Sequence, residues 1–140
     1  MQTLLKPQLQ KGTLDDKPRI LIIDDDQDQV SILQYHLSQQ GFEVLTAYTG
    51  SDGLNLLKNE MPDLVLLDIE LPDATGLDLC EQICDDPETL QIPVIFVSGA
   101  DSPNILRRAR SAGCSFYMRK PYDPNALLVL IQQTLDDERY

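Results

Sequence analysis

The sequence has no tryptophan, a single histidine and no long run of apolar residues. A membrane-spanning helix needs about 20 consecutive apolar residues, and the N-terminal part of the chain has no continuous apolar segment of signal-peptide length. We therefore expect a cytoplasmic protein that makes no contact with a membrane. The one histidine, His36, falls on a predicted helix away from the strand ends, so we interpret it as a surface residue rather than a phosphotransfer or metal site.

Basic residues are scarce. The sequence contains 11 Lys and Arg residues but 23 Asp and Glu residues, which gives a formal net charge of -12. So negative a chain repels nucleic-acid phosphates, and we expect no direct binding to nucleic acid. Cations and basic protein surfaces fit this charge better. The run "RRAR" at residues 107–110 is the exception, and the sequence leaves open whether it is a docking patch or a solvated helix face.

Cysteine is also sparse. Cys80, Cys84 and Cys114 are an odd number and lack the spacing of a metal site. We interpret them as small core residues without a function of their own. The 140 residues, 42% of them hydrophobic, suffice for a single domain with one core. Residues 1–18 have no periodicity, so we expect a flexible tail there and the domain at residues 19–138.

Five short apolar segments alternate with segments of helical character. The first, third and fourth are nearly continuous in apolar residues, as strands buried on both faces must be. We predict strands at residues 19–24, 42–47, 63–68, 93–98 and 115–120. Strands that alternate with helices predict a parallel sheet covered by helices on both faces, because each parallel connection needs a crossover. The expected fold class is therefore α/β, with a (βα)5 pattern.

Helix-start and helix-stop residues lie between these strands. The predicted N-terminal signals are Asp26, Ser51, Ser102 with Pro103, and Asp123 with Pro124, and the predicted stops are Gly41 and Gly113. Apolar residues repeat at helical spacing between these signals. They include Val30, Leu33 and Leu37 in the first helix, Leu79, Cys80, Ile83 and Cys84 in the third, and Leu127, Leu128, Ile131 and Leu135 in the fifth.

Polar residues follow the strands where the strands end. Ligands of open parallel sheets bind outside the carboxyl ends of the strands, so these residues are expected at one edge: Asp24, Asp25, Asp26, Asp68, Ser98 and Lys120. Clustered carboxylates need a compensating cation and suit Mg²⁺, which phosphate oxygens commonly complete. A nearby ammonium and hydroxyl would hold further phosphoryl oxygens. Asp68, after what should be the central strand, is the candidate nucleophile.

At these residues the chain resembles the response-regulator receiver domains of two-component signalling. The matching segments are "ILIIDDD", "DLVLLDIELPDATGLDLC", "IPVIFVSGADS" and "AGCSFYMRKP". The resemblance implies a flavodoxin-like doubly wound fold with a five-stranded parallel sheet of order 2-1-3-4-5. Leu71 and Thr75 depart from the commoner family residues, and Ser98 replaces the commoner Thr but keeps the hydroxyl.

The resemblance also implies a role for each matching residue. Asp24 and Asp25, with the backbone carbonyl of Glu70 and Asp68 itself, would hold Mg²⁺, and Asp68 would accept the phosphoryl group. Lys120 would bind that group, and the peptide bond between Lys120 and Pro121 would be cis. Ser98 and Tyr117 would form the switch.

The implied function is a phosphorylation-dependent switch. The donor would be a histidine kinase or a histidine phosphotransfer protein. Because the sequence ends at Tyr140, just after the fifth helix, we expect output through a downstream protein partner or a homodimer, using the fourth helix, fifth strand and fifth helix.

Two other functions compete with this one. The Asp-x-Asp within "DDDQD" also fits a Mg²⁺-dependent phosphatase with an aspartate nucleophile, although the Thr typical of that class is missing. A flavodoxin-like FMN binder would share the fold, but three aspartates after the first strand would repel its phosphate.

Overall fold

The computed structural model describes residues 17–137, so residues 1–16 of the expected tail lie outside the described part of the chain. Strands and helices alternate strictly along it. The strands are β1 (Arg19–Ile23), β2 (Glu43–Ala47), β3 (Leu64–Leu67), β4 (Val94–Ser98) and β5 (Phe116–Arg119). The helices are α1 (Gln27–Gln39), α2 (Gly50–Glu60), α3 (Gly76–Asp85), α4 (Ile105–Ser111) and α5 (Pro124–Asp137). Among these helices none has the length and apolar character to cross a membrane.

The five strands form one parallel sheet of order β2-β1-β3-β4-β5. The predicted fold class and strand order are thus confirmed. Every residue of β3 and β4 is buried, which explains their nearly continuous apolar sequences. β3 lies at the centre of the sheet, between β1 and β4.

The core forms two layers, one on each face of the sheet. Along β1, Leu21 and Ile23 point into one layer and Ile20 and Ile22 into the other, as the period of two in a strand requires. The first layer packs against α2, α3 and α4, and the second against α1 and α5. Cys80 is buried in the first layer, and Cys84 and Cys114 pack against it, as core residues would.

Two predicted helix starts are wrong. The N-cap of α2 is Thr49 instead of Ser51, because Thr49 has an extended backbone and its side chain accepts a hydrogen bond from Asp52 N. Helix α4 begins at Ile105, after a turn that contains Ser102 and Pro103, and no side chain caps it. The other starts are confirmed: Asp26 caps α1 through Gln29 N, and Asp123 accepts from Asn125 N at the start of α5.

The predicted stops fit the structure. Gly41 and Gly113 each follow a helix C-cap and have φ of 92° and 104°, values that favour glycine. Their positive φ turns the chain out of α1 and α4. The surface interpretation of His36 also fits, since its side chain is exposed on α1.

Candidate functional site

Four strand ends bring the predicted site residues to one edge of the sheet. Asp24 directly follows β1, Asp68 follows β3, Ser98 is the last residue of β4, and Lys120 follows β5. These four strands are consecutive in the sheet, in the order β1-β3-β4-β5, so the side chains at their ends converge. This convergence is what the rule for parallel sheets predicts.

Three aspartates form an acidic cluster. One carboxylate oxygen from each of Asp24, Asp25 and Asp68 lies within 4.8 Å of the others. Asp24 and Asp68 are 7% and 8% exposed, whereas Asp25 is exposed to solvent. Carboxylates that lie so close repel one another unless a cation is shared among them. The donor set, all oxygen and partly open to water, fits a hard divalent cation such as Mg²⁺.

Lys120 places an ammonium group against this cluster. Its Nζ lies 2.8 Å from Asp24 Oδ2 and 3.6 Å from Asp68 Oδ2. Burial alone would lower the pKa of Lys120, but the hydrogen bond to Asp24 and the charges of Asp68 and Asp24 outweigh it and raise the pKa above its ordinary value. Lys120 therefore stays charged and partly compensates the carboxylates.

Several opposing effects act on the pKa of the Asp68 carboxyl. Burial raises its pKa above the ordinary value, the Lys120 ammonium opposes this, and the charge of Asp24 adds to the increase. Asp68 Oδ1 also accepts a hydrogen bond from Glu70 N at 3.2 Å. The net result is a raised pKa, so the ionised form of Asp68 costs free energy in the absence of a further cation.

Ser98 and Tyr117 meet at the backbone of Ala100. The fully buried Ser98 accepts a hydrogen bond from Ala100 N through Oγ at 3.1 Å. The Tyr117 hydroxyl donates to Ala100 O at 3.2 Å, and its ring lies 6.2 Å from that of Phe96. Both predicted switch residues therefore contact the same segment after β4, and burial raises the pKa of Tyr117.

The loop between β3 and α3 contains Glu70, whose side chain is exposed and whose backbone forms an isolated bridge with Thr75. The Lys120–Pro121 peptide bond is cis, as the resemblance implied.

The sequence analysis missed two residues of the β3–α3 loop. Thr75 caps α3 through Asp78 N, which the Thr-x-x-Asp spacing could have indicated, whereas nothing in the sequence indicated the contacts of Asp73 with α2.

Comparison with known proteins decides the family. Residues 20–132 match the family model described as the response regulator receiver domain. The chain belongs to the response regulator receiver family. Receiver domains are signalling domains, and this assignment favours the signalling interpretation over the phosphatase and FMN alternatives.

Individual relatives of the chain support the assignment. Protein PilH of Pseudomonas aeruginosa is 38% identical over 117 residues, which cover 84% of this chain and 97% of PilH. The alkaline phosphatase synthesis transcriptional regulatory protein PhoP of Bacillus subtilis is 31% identical over 117 residues, again 84% of this chain but 48% of PhoP. The chain thus spans about half of PhoP and nearly all of PilH.

A solved receiver structure agrees with the fold. The CheY-like response regulator receiver domain protein from Methanospirillum hungatei JF-1 has a TM-score of 0.83 and 34% sequence identity to this chain. The superposition covers 89% of this chain and 98% of that one. Nearly the whole of an independent receiver domain therefore shares this architecture.

Proposed function

We propose that this chain, with its receiver domain at residues 19–138, is a phosphorylation switch that accepts a phosphoryl group on Asp68. The observation that carries the proposal is the meeting of the Lys120 ammonium with Asp24 and Asp68, which come from the ends of three different strands. A lysine and an acidic cluster in this arrangement suit a phosphoryl group and a divalent cation together. The donor is a phosphohistidine on a histidine kinase or a histidine phosphotransfer protein.

The transfer needs one nucleophile and several charge-stabilising groups. A carboxylate oxygen of Asp68 attacks phosphorus, the P–N bond to the donor imidazole breaks, and the imidazole leaves with the electron pair and takes up a proton. The Lys120 ammonium, 3.6 Å from Asp68 Oδ2, binds an oxygen of the arriving group. The later hydrolysis returns Asp68 to the carboxylate and releases inorganic phosphate, so the chain turns over only its own phosphoryl group.

The residues that would hold Mg²⁺ are Asp24, Asp25, Asp68 and the backbone carbonyl of Glu70. When bound, the cation neutralises charge on the carboxylates and on the phosphoryl oxygens. The cluster fits this use, because one carboxylate oxygen from each of Asp24, Asp25 and Asp68 lies within 4.8 Å of the others and because burial raises the pKa of the Asp68 carboxyl.

The switch would act through Ser98 and Tyr117. Ser98 Oγ now accepts from Ala100 N, and its hydroxyl proton can be donated to a phosphoryl oxygen on Asp68. A shift of Ser98 would move the segment at Ala100, whose carbonyl accepts from the Tyr117 hydroxyl. Phosphorylation would thereby change the surface around β5 through an alteration of local hydrogen bonds.

The output surface would comprise α4, β5 and α5, and a downstream protein or a second copy of the chain would bind there. Exposed apolar side chains lie on each of these elements, namely Leu106, Phe116 and Val129. The exposed arginines at 107, 108 and 110 add positive charge to this surface in an otherwise acidic protein. An acidic or amphipathic partner segment fits that combination.

The test is incubation with acetyl phosphate and Mg²⁺, followed by intact mass measurement. The parent should gain the mass of one phosphoryl group, and chelation of the cation with EDTA should suppress the gain. Asp68→Asn should show no gain, whereas Asp26→Asn, a change in the neighbouring helix cap, should behave as the parent does. Stoichiometric labelling of Asp68→Asn would refute the assignment of the acceptor.

A further inference from the structure

The tip of the β3–α3 loop carries a carboxylate that has no role in the site described above. Asp73 Oδ1 accepts a hydrogen bond from Gly50 N at 2.8 Å, and Oδ2 accepts one from Ser51 N at 3.0 Å. N–H groups in the first turn have no acceptor inside the helix, so Asp73 satisfies two of them in α2. The two bonds lower the pKa of the Asp73 carboxyl, which is therefore charged at neutral pH and lies at the positive end of the α2 dipole.

The loop behind Asp73 is compact. Glu70 and Thr75 form an antiparallel bridge, and Gly76 N donates to Ile69 O at 2.6 Å. Gly76 also packs so closely that a Cβ there would overlap the carbonyl oxygen of Asp68. A displacement of the loop tip would therefore be transmitted to the backbone of both Asp68 and Glu70.

The first turn of α2 is in turn packed against β1. A Cβ on Gly53 would lie 2.5 Å from Ile23 Cδ1 and 2.9 Å from Ile23 Cγ1, so helix and strand approach more closely than any other residue would allow at this position. Ile23 directly precedes Asp24 and Asp25. Contacts therefore run without interruption from Asp73, through the first turn of α2, to the strand end that carries the acidic pair.

Within residues 17–137, the two bonds to Asp73 are the only hydrogen bonds that join residues 70–75 to an element other than β3 and α3. The proposed metal ligands fall on both sides of this connection. Asp24 and Asp25 directly follow β1, whereas Asp68 and the Glu70 carbonyl lie in the loop that follows β3. These two groups of ligands are the two halves of the proposed metal site. The distance between the halves depends on how firmly the β3–α3 loop is held in place.

We propose that Asp73 is a positioning residue of the phosphorylation site, which fixes the β3–α3 loop relative to the end of β1 through the first turn of α2. This inference rests on the proposed function, since it assumes that both halves share one divalent cation. Residues that orient metal ligands typically contribute about 10–100-fold to metal affinity. Because Asp73 acts through the loop backbone, we expect its removal to weaken Mg²⁺ binding by about tenfold, the low end of that range.

The experiment compares Asp73→Ala with Thr49→Ala, a variant that loses the N-cap of the same helix and leaves the loop contact intact. Mg²⁺ affinity is measured by NMR titration of backbone amides, and melting temperature is measured without metal. Both variants should melt below the parent. Only Asp73→Ala should bind Mg²⁺ about tenfold more weakly and show faster hydrogen exchange at Glu70 N, whose bond to Asp68 Oδ1 depends on loop position.

Asp73→Asn provides a second, milder variant should the alanine variant fold poorly. It keeps one acceptor oxygen for α2 but places an amide NH₂ against the other N–H, so its Mg²⁺ affinity should fall between those of the parent and the alanine variant. If either Asp73 variant is destabilised and yet binds Mg²⁺ as the parent does, Asp73 is merely a helix cap and the proposal is wrong. A parent that binds no Mg²⁺ and takes up no phosphoryl group would instead overturn the proposed function, and this inference with it.

Discussion

At the scale of single residues, Lys120 compensates carboxylates that would otherwise face each other without a positive charge. Its Nζ bonds to Asp24 and lies near Asp68, and all three side chains are largely buried. Loss of a partner from such a group leaves a charge without its hydrogen bond, which is costlier than loss of an exposed ion pair. The same ammonium that would bind a phosphoryl group therefore also stabilises the protein before phosphorylation.

We predict that Lys120→Ala lowers the metal-free free energy of unfolding by about 1–3 kcal/mol, as expected for a lost hydrogen bond to a charged group. Saturating Mg²⁺ should restore much of this loss, because the cation supplies the missing positive charge. Urea unfolding with EDTA and with Mg²⁺ measures both effects.

The control for Lys120→Ala is Arg119→Ala. Arg119 forms an ion pair with Asp101 at 2.8 Å in which both side chains are more than half exposed, so its removal should cost about 0–1 kcal/mol and should not respond to Mg²⁺. Equal losses in the two variants would argue against a stabilising role for Lys120.

The sequence indicated the cluster residues well because strand-end position and residue type together determine them. Asp24, Asp68, Ser98 and Lys120 each end or follow a strand, and parallel strands bring such positions together. Asp73 could not be found in this way. Its partners are two backbone N–H groups of α2, which lie 22 and 23 residues away in the sequence. Contacts to backbone groups leave no pattern of side chains from which they could be predicted.

At the scale of elements, helix starts were harder to predict than helix existence. Apolar spacing in α2 indicated a helix, but Thr49 and Ser51 are both good N-cap residues, and the sequence contains no feature that chooses between them. The choice depends on the extended backbone of Thr49 after β2 and on Asp73, which takes Ser51 N as a donor. Tertiary contacts therefore decided the start of α2.

We predict that Thr49→Ala lowers the free energy of unfolding by about 1 kcal/mol, the usual cost of a lost N-cap. Ser51→Ala should change it by less than about 0.5 kcal/mol, because the Ser51 side chain is exposed and substitutions at such sites are nearly neutral. Chemical unfolding of both variants measures the difference, and a larger loss for Ser51→Ala would contradict the observed cap.

The link between Asp73 and α2 should also depend on pH. The pKa of Asp73 is lowered from its ordinary value of 3.8 by the hydrogen bonds from Gly50 and Ser51. The folded state therefore binds this proton less readily than the unfolded state, and the stabilisation is present above pH 3.8 and lost as the pH falls through the folded-state pKa.

We predict that the difference in melting temperature between the parent and Asp73→Asn is constant between about pH 5 and pH 7 and shrinks below about pH 4. Subtracting the two melting curves at each pH isolates Asp73 from the other carboxyl groups that titrate in the same range. A difference that stays constant down to pH 3 would show that Asp73 does not contribute as a carboxylate.

At the scale of the whole molecule, the architecture could be predicted because five apolar segments and the segments between them alternate without exception. A parallel sheet with crossover helices has few allowed topologies, and the resemblance selected the order that the structure has.

The acidic cluster lowers the stability of the folded state of the whole molecule. Burial raises the pKa of Asp68, so its ionised form opposes folding at neutral pH when no further cation is present.

The last prediction links this cost to the proposed phosphoryl acceptor. Because the ionised Asp68 carboxylate is disfavoured in the folded state, its contribution to folding is unfavourable above its folded-state pKa and is relieved when the charge is removed. The metal-free Asp68→Asn variant should therefore melt above the metal-free parent. In a domain of this size, an increase of about 1 kcal/mol in the free energy of unfolding corresponds to an increase of roughly 4 °C in melting temperature.

Adding Mg²⁺ should narrow this gap, because a ligand that binds only the folded state stabilises the protein that binds it more tightly, here the parent. Thermal melts over a series of Mg²⁺ concentrations give both quantities. Asp25→Asn is the matched control: it also removes one charge from the cluster, but Asp25 is exposed, so its metal-free melting temperature should change less. A metal-free Asp68→Asn protein that melts below the parent would mean that the carboxylate stabilises the fold, and an unfavourable burial of the Asp68 charge would then be the wrong account of this site.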